Sequence, residues 1–148
     1  MPILTGVLQP DGALVDLVVA WSFLHAQQLR LGFRPVPPPV STRALIDTGA
    51  EITCVDSSLI QTLGLPFGGT VLANLPAHGG LTASVLSAAS LTIVHPSGNA
   101  GNNLVIRNWS VLGLLLAGLG YQALVGRDVL AQCRFLYHGR RNRFRLTY

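Results

Sequence analysis

The chain has 148 residues, 49% of them hydrophobic and 11% charged, with ten arginines, no lysine and six acids for a net charge of +4. That length suits a single domain, spanning residues 1–148, and a mean hydropathy of +0.47 excludes disorder, which needs low hydrophobicity and dense charge. The longest apolar runs, Ala13–Leu24 and Val111–Val125, are broken by Asp16 or by Gly113, Gly118, Gly120 and Gln122, so no membrane-spanning helix is expected.

The opening MPILTGVLQPDG has no basic segment before an apolar run, so no export signal is read there and a cytoplasmic address is expected. Residues 13–21 alternate as a strand with Ala13, Val15, Leu17, Val19 and Trp21 on one face, while Leu14 and Val18 point to burial from both sides. Ser22–Leu31 reads as a helix with Trp21, Leu24, Gln28 and Leu31 on one side, ending at Gly32. RPVPPPV follows, four prolines within five positions, and makes a stiff connection. Residues 22–40 are thus a helix plus a Pro-rich loop inserted in a strand-rich chain.

Thr42–Ile46 is strand-like, and Ser57–Leu63 is a short helix. Thr70–Leu75 and Leu81–His95 flank the turn residues Pro76–Gly80, a hairpin pattern over residues 70–95. Leu104–Leu112 alternates again. A short helix starts at Arg127, and Arg134–His138 and Arg143–Tyr148 form a last hairpin around Gly139–Asn142. The class is all-β with one or two short helices.

Chemistry concentrates in Ala44–Val55, ALIDTGAEITCV. An apolar strand delivers Asp47 into a Thr-Gly-Ala turn. Gly49 lets another backbone come close, and the Thr48 hydroxyl can bond locally and stiffen the turn. By itself, Asp-Thr-Gly is also an ordinary Asx turn. Further on, ALVGRDVL (Ala123–Leu130) is a second apolar strand that ends in Gly126, seventy-seven positions after Gly49, and opens a helix.

This pair, with the hairpin between its members, resembles the retropepsin-like aspartic proteases, the family of the retroviral proteases. The resemblance implies an acid-protease barrel with a flap hairpin, Asp47 as the catalytic carboxylate, and Thr48 as the residue that locks two active-site loops across a dimer. It further implies that Gly49, Ala50 and Glu51 border the substrate and that His78, Gly79 and Gly80 form the flap tip. Arg127, next to Gly126, would pair with Glu51. Asp128 is read as structural, its carboxylate facing the helix N-terminus. The chemistry of that family needs two carboxylates sharing one proton about a water. The chain carries one Asp-Thr-Gly; Asp56 lies in DSS, and neither Asp11 nor Asp16 has such a turn. A homodimer is therefore required, acting on a peptide or protein substrate, with activity highest on the acidic side of neutral. The alternative is a retropepsin-fold module that no longer cuts and serves dimerisation or peptide binding.

Other signals are weaker. Cys54 and Cys133 are read as reduced core residues, and the four scattered histidines show no metal-ligand spacing, so neither a metal nor a cofactor is expected. Gly118–Ala123 matches a loose dinucleotide fingerprint without its strand–helix context. Arg141, Arg143 and Arg145 alternate with Asn142, Phe144 and Leu146, which reads as a solvated edge strand, and no nucleic-acid partner is expected.

Overall fold

In the computed structural model half of the chain is strand, and six strands close into a barrel. The structure describes residues 1–75, 79–116 and 118–148. The strands are β1 (Ile3–Val7), β2 (Leu14–Trp21), β3 (Val40–Ile46), β4 (Cys54–Asp56), β5 (Phe67–Leu75), β6 (Gly80–Ile93), β7 (Leu104–Leu114), β8 (Ala123–Val125), β9 (Arg134–His138) and β10 (Arg143–Thr147). Among the described residues three short α-helices accompany them, α1 (Phe23–Leu31), α2 (Ser57–Leu63) and α3 (Arg127–Leu130), with single 3-10 turns at Ala100–Asn102 and Gly139–Arg141. Among the described residues no helix is long and apolar enough to cross a membrane.

The large sheet runs β2-β3-β8-β4-β7-β6-β5, and a further pairing of β2 with β6 closes the first six of these into a ring. β6 makes this closure possible because it has 14 residues: one stretch pairs with β5, and the other with β7 and β2. Alternation then fills the interior. Leu17, Val19, Val55, Leu91, Ile93, Val111 and Val125 are buried almost completely, and a cluster of this size supplies the main driving force for folding.

The strands β3 and β4 follow each other in the chain but are not neighbours in the sheet. β8 lies between them, parallel to β3 and antiparallel to β4. The connection 47–53 must therefore arch over the end of β8, and this connection carries Asp47.

A second sheet, β1-β10-β9, joins the two ends of the chain. Leu4, Phe144 and Leu146 face the core, and the Phe144 ring lies over Gly6, its partner in register. The His95 ring nitrogen Nε2 donates to Ile3 O at 3.1 Å, and the Tyr148 hydroxyl donates to Asn102 O at 2.9 Å, binding this sheet to the 95–103 turn.

Two expectations change. The buried face of α1 is Ala26 (5% exposed) and Leu29 (8%), whereas Leu24 (57%) and Leu31 (82%) face solvent. The reason is anchoring: the Leu24 N–H donates to Asn108 Oδ1, and the Trp21 indole turns away to donate to Leu63 O at the end of α2. The second change concerns β10, which is not an edge strand; it is the middle strand, between β1 and β9.

Candidate active site

β3 ends at Ile46, and Asp47 leaves the sheet directly into the turn. Its N–H still donates to Val125 O of β8 at 3.0 Å, so the residue is held by the barrel wall while its side chain is partly exposed. The carboxylate oxygen Oδ1 accepts from the Gly49 N–H at 2.8 Å, and the Ala50 N–H donates back to Asp47 O at 3.2 Å. A Cβ on Gly49 would sit 3.1 Å from that Oδ1, so only glycine leaves the carboxylate uncrowded. Thr48 and Gly49 are exposed beside it, as is Glu51, with Ala50 half-buried.

Beneath the arch, Gly126 meets the connection at close quarters. A Cβ there would lie 2.8 Å from Ile52 C and 2.9 Å from Thr53 N, contacts that real side chains do not make. Three hydrogen bonds lock the crossing. The Gly126 N–H donates to Thr53 Oγ1 at 3.0 Å, the Thr53 hydroxyl donates to Asp128 Oδ1 at 2.6 Å, and the Arg127 N–H donates to Ala50 O at 2.8 Å.

Asp128 does more than face its helix. Its carboxylate accepts from the Val129 N–H (2.8 Å), the Thr53 N–H (3.0 Å) and the Trp109 indole N–H (3.0 Å). It therefore braces α3, the arch and β7 together. The implied pairing of Arg127 with Glu51 is not formed: both side chains are exposed, and among the described residues no ion pair joins them. Main-chain bonds take its place, from Arg127 to Ala50 and from the Asp128 N–H to Glu51 O at 3.3 Å.

A cavity of about 390 Å³ opens between the arch and the hairpin, lined by Gly49–Ile52, Cys54 and Arg127 on one side and by residues 71–75 of β5 on the other. β5 and β6 pair from Phe67↔Ser87 up to Leu75↔Gly80. The hairpin expected over residues 70–95 is thus present and overhangs the residues next to Asp47. Gly79 and Gly80 have φ of 85° and 115°, the region that side chains resist, so glycine is required for the chain to turn there. Pro76, Ala77 and His78 lie outside the described residues.

Cys54 lies on the cavity floor. Burial first, and then the Asp128 and Asp47 carboxylates, push its thiol up to about 11, which leaves it protonated and unreactive near neutral pH. Tyr121 is a neighbour that the sequence did not single out. Burial raises its hydroxyl, with the Asp11 and Asp47 carboxylates adding to the shift, which brings it into the field of the candidate acid. It belongs to the segment with the loose dinucleotide pattern, which here is a loop feeding β8 and not a strand–helix junction.

Asp56 caps α2 and is buried. Burial alone would raise its carboxyl, but the Ser58 hydroxyl, the Leu116 N–H and the Ser58 N–H together outweigh it and hold the group below its ordinary value of about 3.8. Stability from such a carboxylate is complete above the ordinary value and is lost as pH falls through the lowered one. The difference in melting temperature between the native chain and Asp56→Asn is therefore expected to stay level from pH 7 to about 5 and to close below about 4. A difference unchanged down to pH 2 would mean that the carboxylate is not the source of the stability.

Among the described residues no group of three or more His, Cys, Asp or Glu converges in a way that could hold a metal ion. The fold and the site together define an all-β barrel with an Asp-Thr-Gly turn whose carboxylate lies beside a cavity overhung by a hairpin. No family model matches the chain, and no curated protein matches it either.

Proposed function

We propose that the chain is a retropepsin-like aspartic endopeptidase, a homodimer in which the two copies of Asp47 share one cleft and activate a water for peptide-bond hydrolysis. The observation that carries this reading is the setting of Asp47: partly exposed at the end of a barrel strand, in an Asp-Thr-Gly turn, next to a cavity overhung by a hairpin. Supporting it is the crossing of the Asp47 connection over Gly126, which holds the connection through main-chain bonds together with the buried Thr53 hydroxyl and the Asp128 carboxylate.

In this mechanism one carboxylate takes a proton from the water as it attacks the scissile carbonyl. The other, protonated, gives its proton to the carbonyl oxygen, and the pair then delivers a proton to the leaving amine. Two like charges so close cannot both ionise, which is what creates the acid and the base. Thr48, exposed beside Asp47, meets its twin across the two-fold axis. Gly49 and Glu51 offer main-chain groups to an extended peptide, Ala50, whose own N–H and C=O are already engaged within the arch, borders it, and Gly79 and Gly80 close over it. The overhanging hairpin excludes water, which strengthens every charge interaction inside. The reaction needs no cofactor.

The test is incubation with a complex peptide mixture between about pH 4 and 7, with and without a statine-type transition-state mimic, alongside the mass in solution at micromolar concentration. Cleavage blocked by the mimic, from a dimer, is expected. A folded dimer that never cuts would replace this reading with a silent module for dimerisation or peptide binding, and cleavage by a strict monomer would remove the shared dyad.

A further inference from the structure

We propose that the outer face of the β1-β10-β9 sheet binds single-stranded nucleic acid through Arg141, Arg143 and Arg145. Because Phe144 and Leu146 are buried, alternation turns Arg143 and Arg145 outward. The register completes two rows across the sheet, Val7–Arg143–His138 and Thr5–Arg145–Leu136. Arg143 and Arg145 stand about 7 Å apart on one strand face, and Arg141 joins them from the adjoining turn.

A cavity of about 230 Å³ opens on this face, lined by Thr5, Leu136, His138 and these three arginines. None of the six acids lies in β1, β9, β10 or the turn between the last two. Like charges gathered this way repel one another. On an edge strand that cost would be repaid by blocking unwanted pairing. β10 is the central strand, with β1 and β9 already bonded to it, so its charge guards no edge. β1, which does have a free edge, carries no charge at all.

The ligand that offsets such a field is a polyanion. Guanidinium groups fork onto phosphate oxygens and also stack on planar bases. The exposed aliphatic side chains of Val7 and Leu136 flank Arg143 and Arg145 in the same rows, one from β1 and the other from β9. This surface suits an unpaired strand whose bases lie across the sheet while its phosphates meet the arginines. The proposal is independent of the protease reading.

The test is fluorescence anisotropy of a labelled single strand of about 20 nucleotides, titrated at several salt concentrations. Three phosphate contacts predict a log–log salt slope of about −2, at about 0.7 per contact. Arg143→Gln with Arg145→Gln removes two of them, so the slope is expected to fall to about −0.7 and the affinity in low salt to drop at least about tenfold. Both side chains are exposed, so a matching melting curve serves as the fold check, and Arg141→Gln in the turn provides a second, milder variant. Arg30→Gln with Arg34→Gln alters net charge equally, away from this sheet, and is expected to leave binding unchanged. Equal weakening by both pairs would reduce the effect to overall charge and overturn the proposal. So would a protein that ignores the oligonucleotide but binds phosphatidylserine vesicles.

Discussion

Asp47→Asn is expected to abolish peptide cleavage, by about 10⁴-fold or more, while the barrel and the dimer persist. The asparagine keeps an Oδ1 that accepts from the Gly49 N–H, so the 2.8 Å bond that sets the turn survives. What disappears is the ionised oxygen that takes the proton from water. In a homodimer the substitution strikes both members of the dyad at once, leaving neither base nor acid. Cleavage followed by chromatography of a defined peptide measures the loss, and a thermal melt and a mass in solution show that the assembly is intact. A variant that cuts at the native rate would remove Asp47 from the chemistry altogether.

Asp128→Ala is expected to cost about 3 kcal/mol of stability, because the deletion strands donors from three elements at once. Thr53 has no solvent exposure, so its N–H and hydroxyl find no water to replace the carboxylate, while the Trp109 indole loses its acceptor. For a chain of this size that corresponds to a fall of about 10 °C in melting temperature. Asp128→Asn separates the contributions. One oxygen remains for Thr53 and Val129, but an amide N–H₂ now faces the indole N–H, so the expected loss is about 1 kcal/mol. Differential scanning calorimetry of the two variants decides the matter. An alanine variant that melts with the native chain would show that the arch is held by the Gly126 and Arg127 main-chain bonds alone.

The two experiments address different layers of one site. Asp47 is the reacting group under the protease reading, whereas Asp128 holds the connection that carries it. A destabilised Asp128→Ala chain that still folds at low temperature should also cut less, since the Asp47 turn and Thr53 belong to the same seven-residue arch. The acid range in which an aspartic dyad works leaves Asp56 ionised and its cap on α2 formed, so assays down to about pH 4 do not unfold that corner.

The local order of the chain was legible from residues alone wherever the signal is local. Alternation located β2, β3, β5, β6 and β7, turn residues located the last hairpin, and Ser57–Leu63 is a helix with the expected bounds. The Asp-Thr-Gly turn and the Gly126–Asp128 helix start were visible because each depends on a few adjacent residues. β1 was not visible: Ile3–Val7 is short, contains Gly6, and is a strand only because β10, at the other end of the chain, lies beside it. The face of α1 was misread because hydrophobicity alone does not register the hydrogen bonds from Leu24 and Trp21 that set its rotation.

What composition and local pattern determined by themselves was a strand-rich chain with an Asp-Thr-Gly turn and a cationic end. Only the tertiary structure decided that β8 slots between β3 and β4, that Asp128 reaches Thr53 and Trp109 and leaves Arg127 without Glu51, and that the arginine-bearing strand lies in the middle of its sheet. The physical reason is the same in each case. Period and turn chemistry are set by neighbours along the chain, whereas strand order and the partner of a carboxylate depend on contacts closed across long loops, which no short window of residues contains.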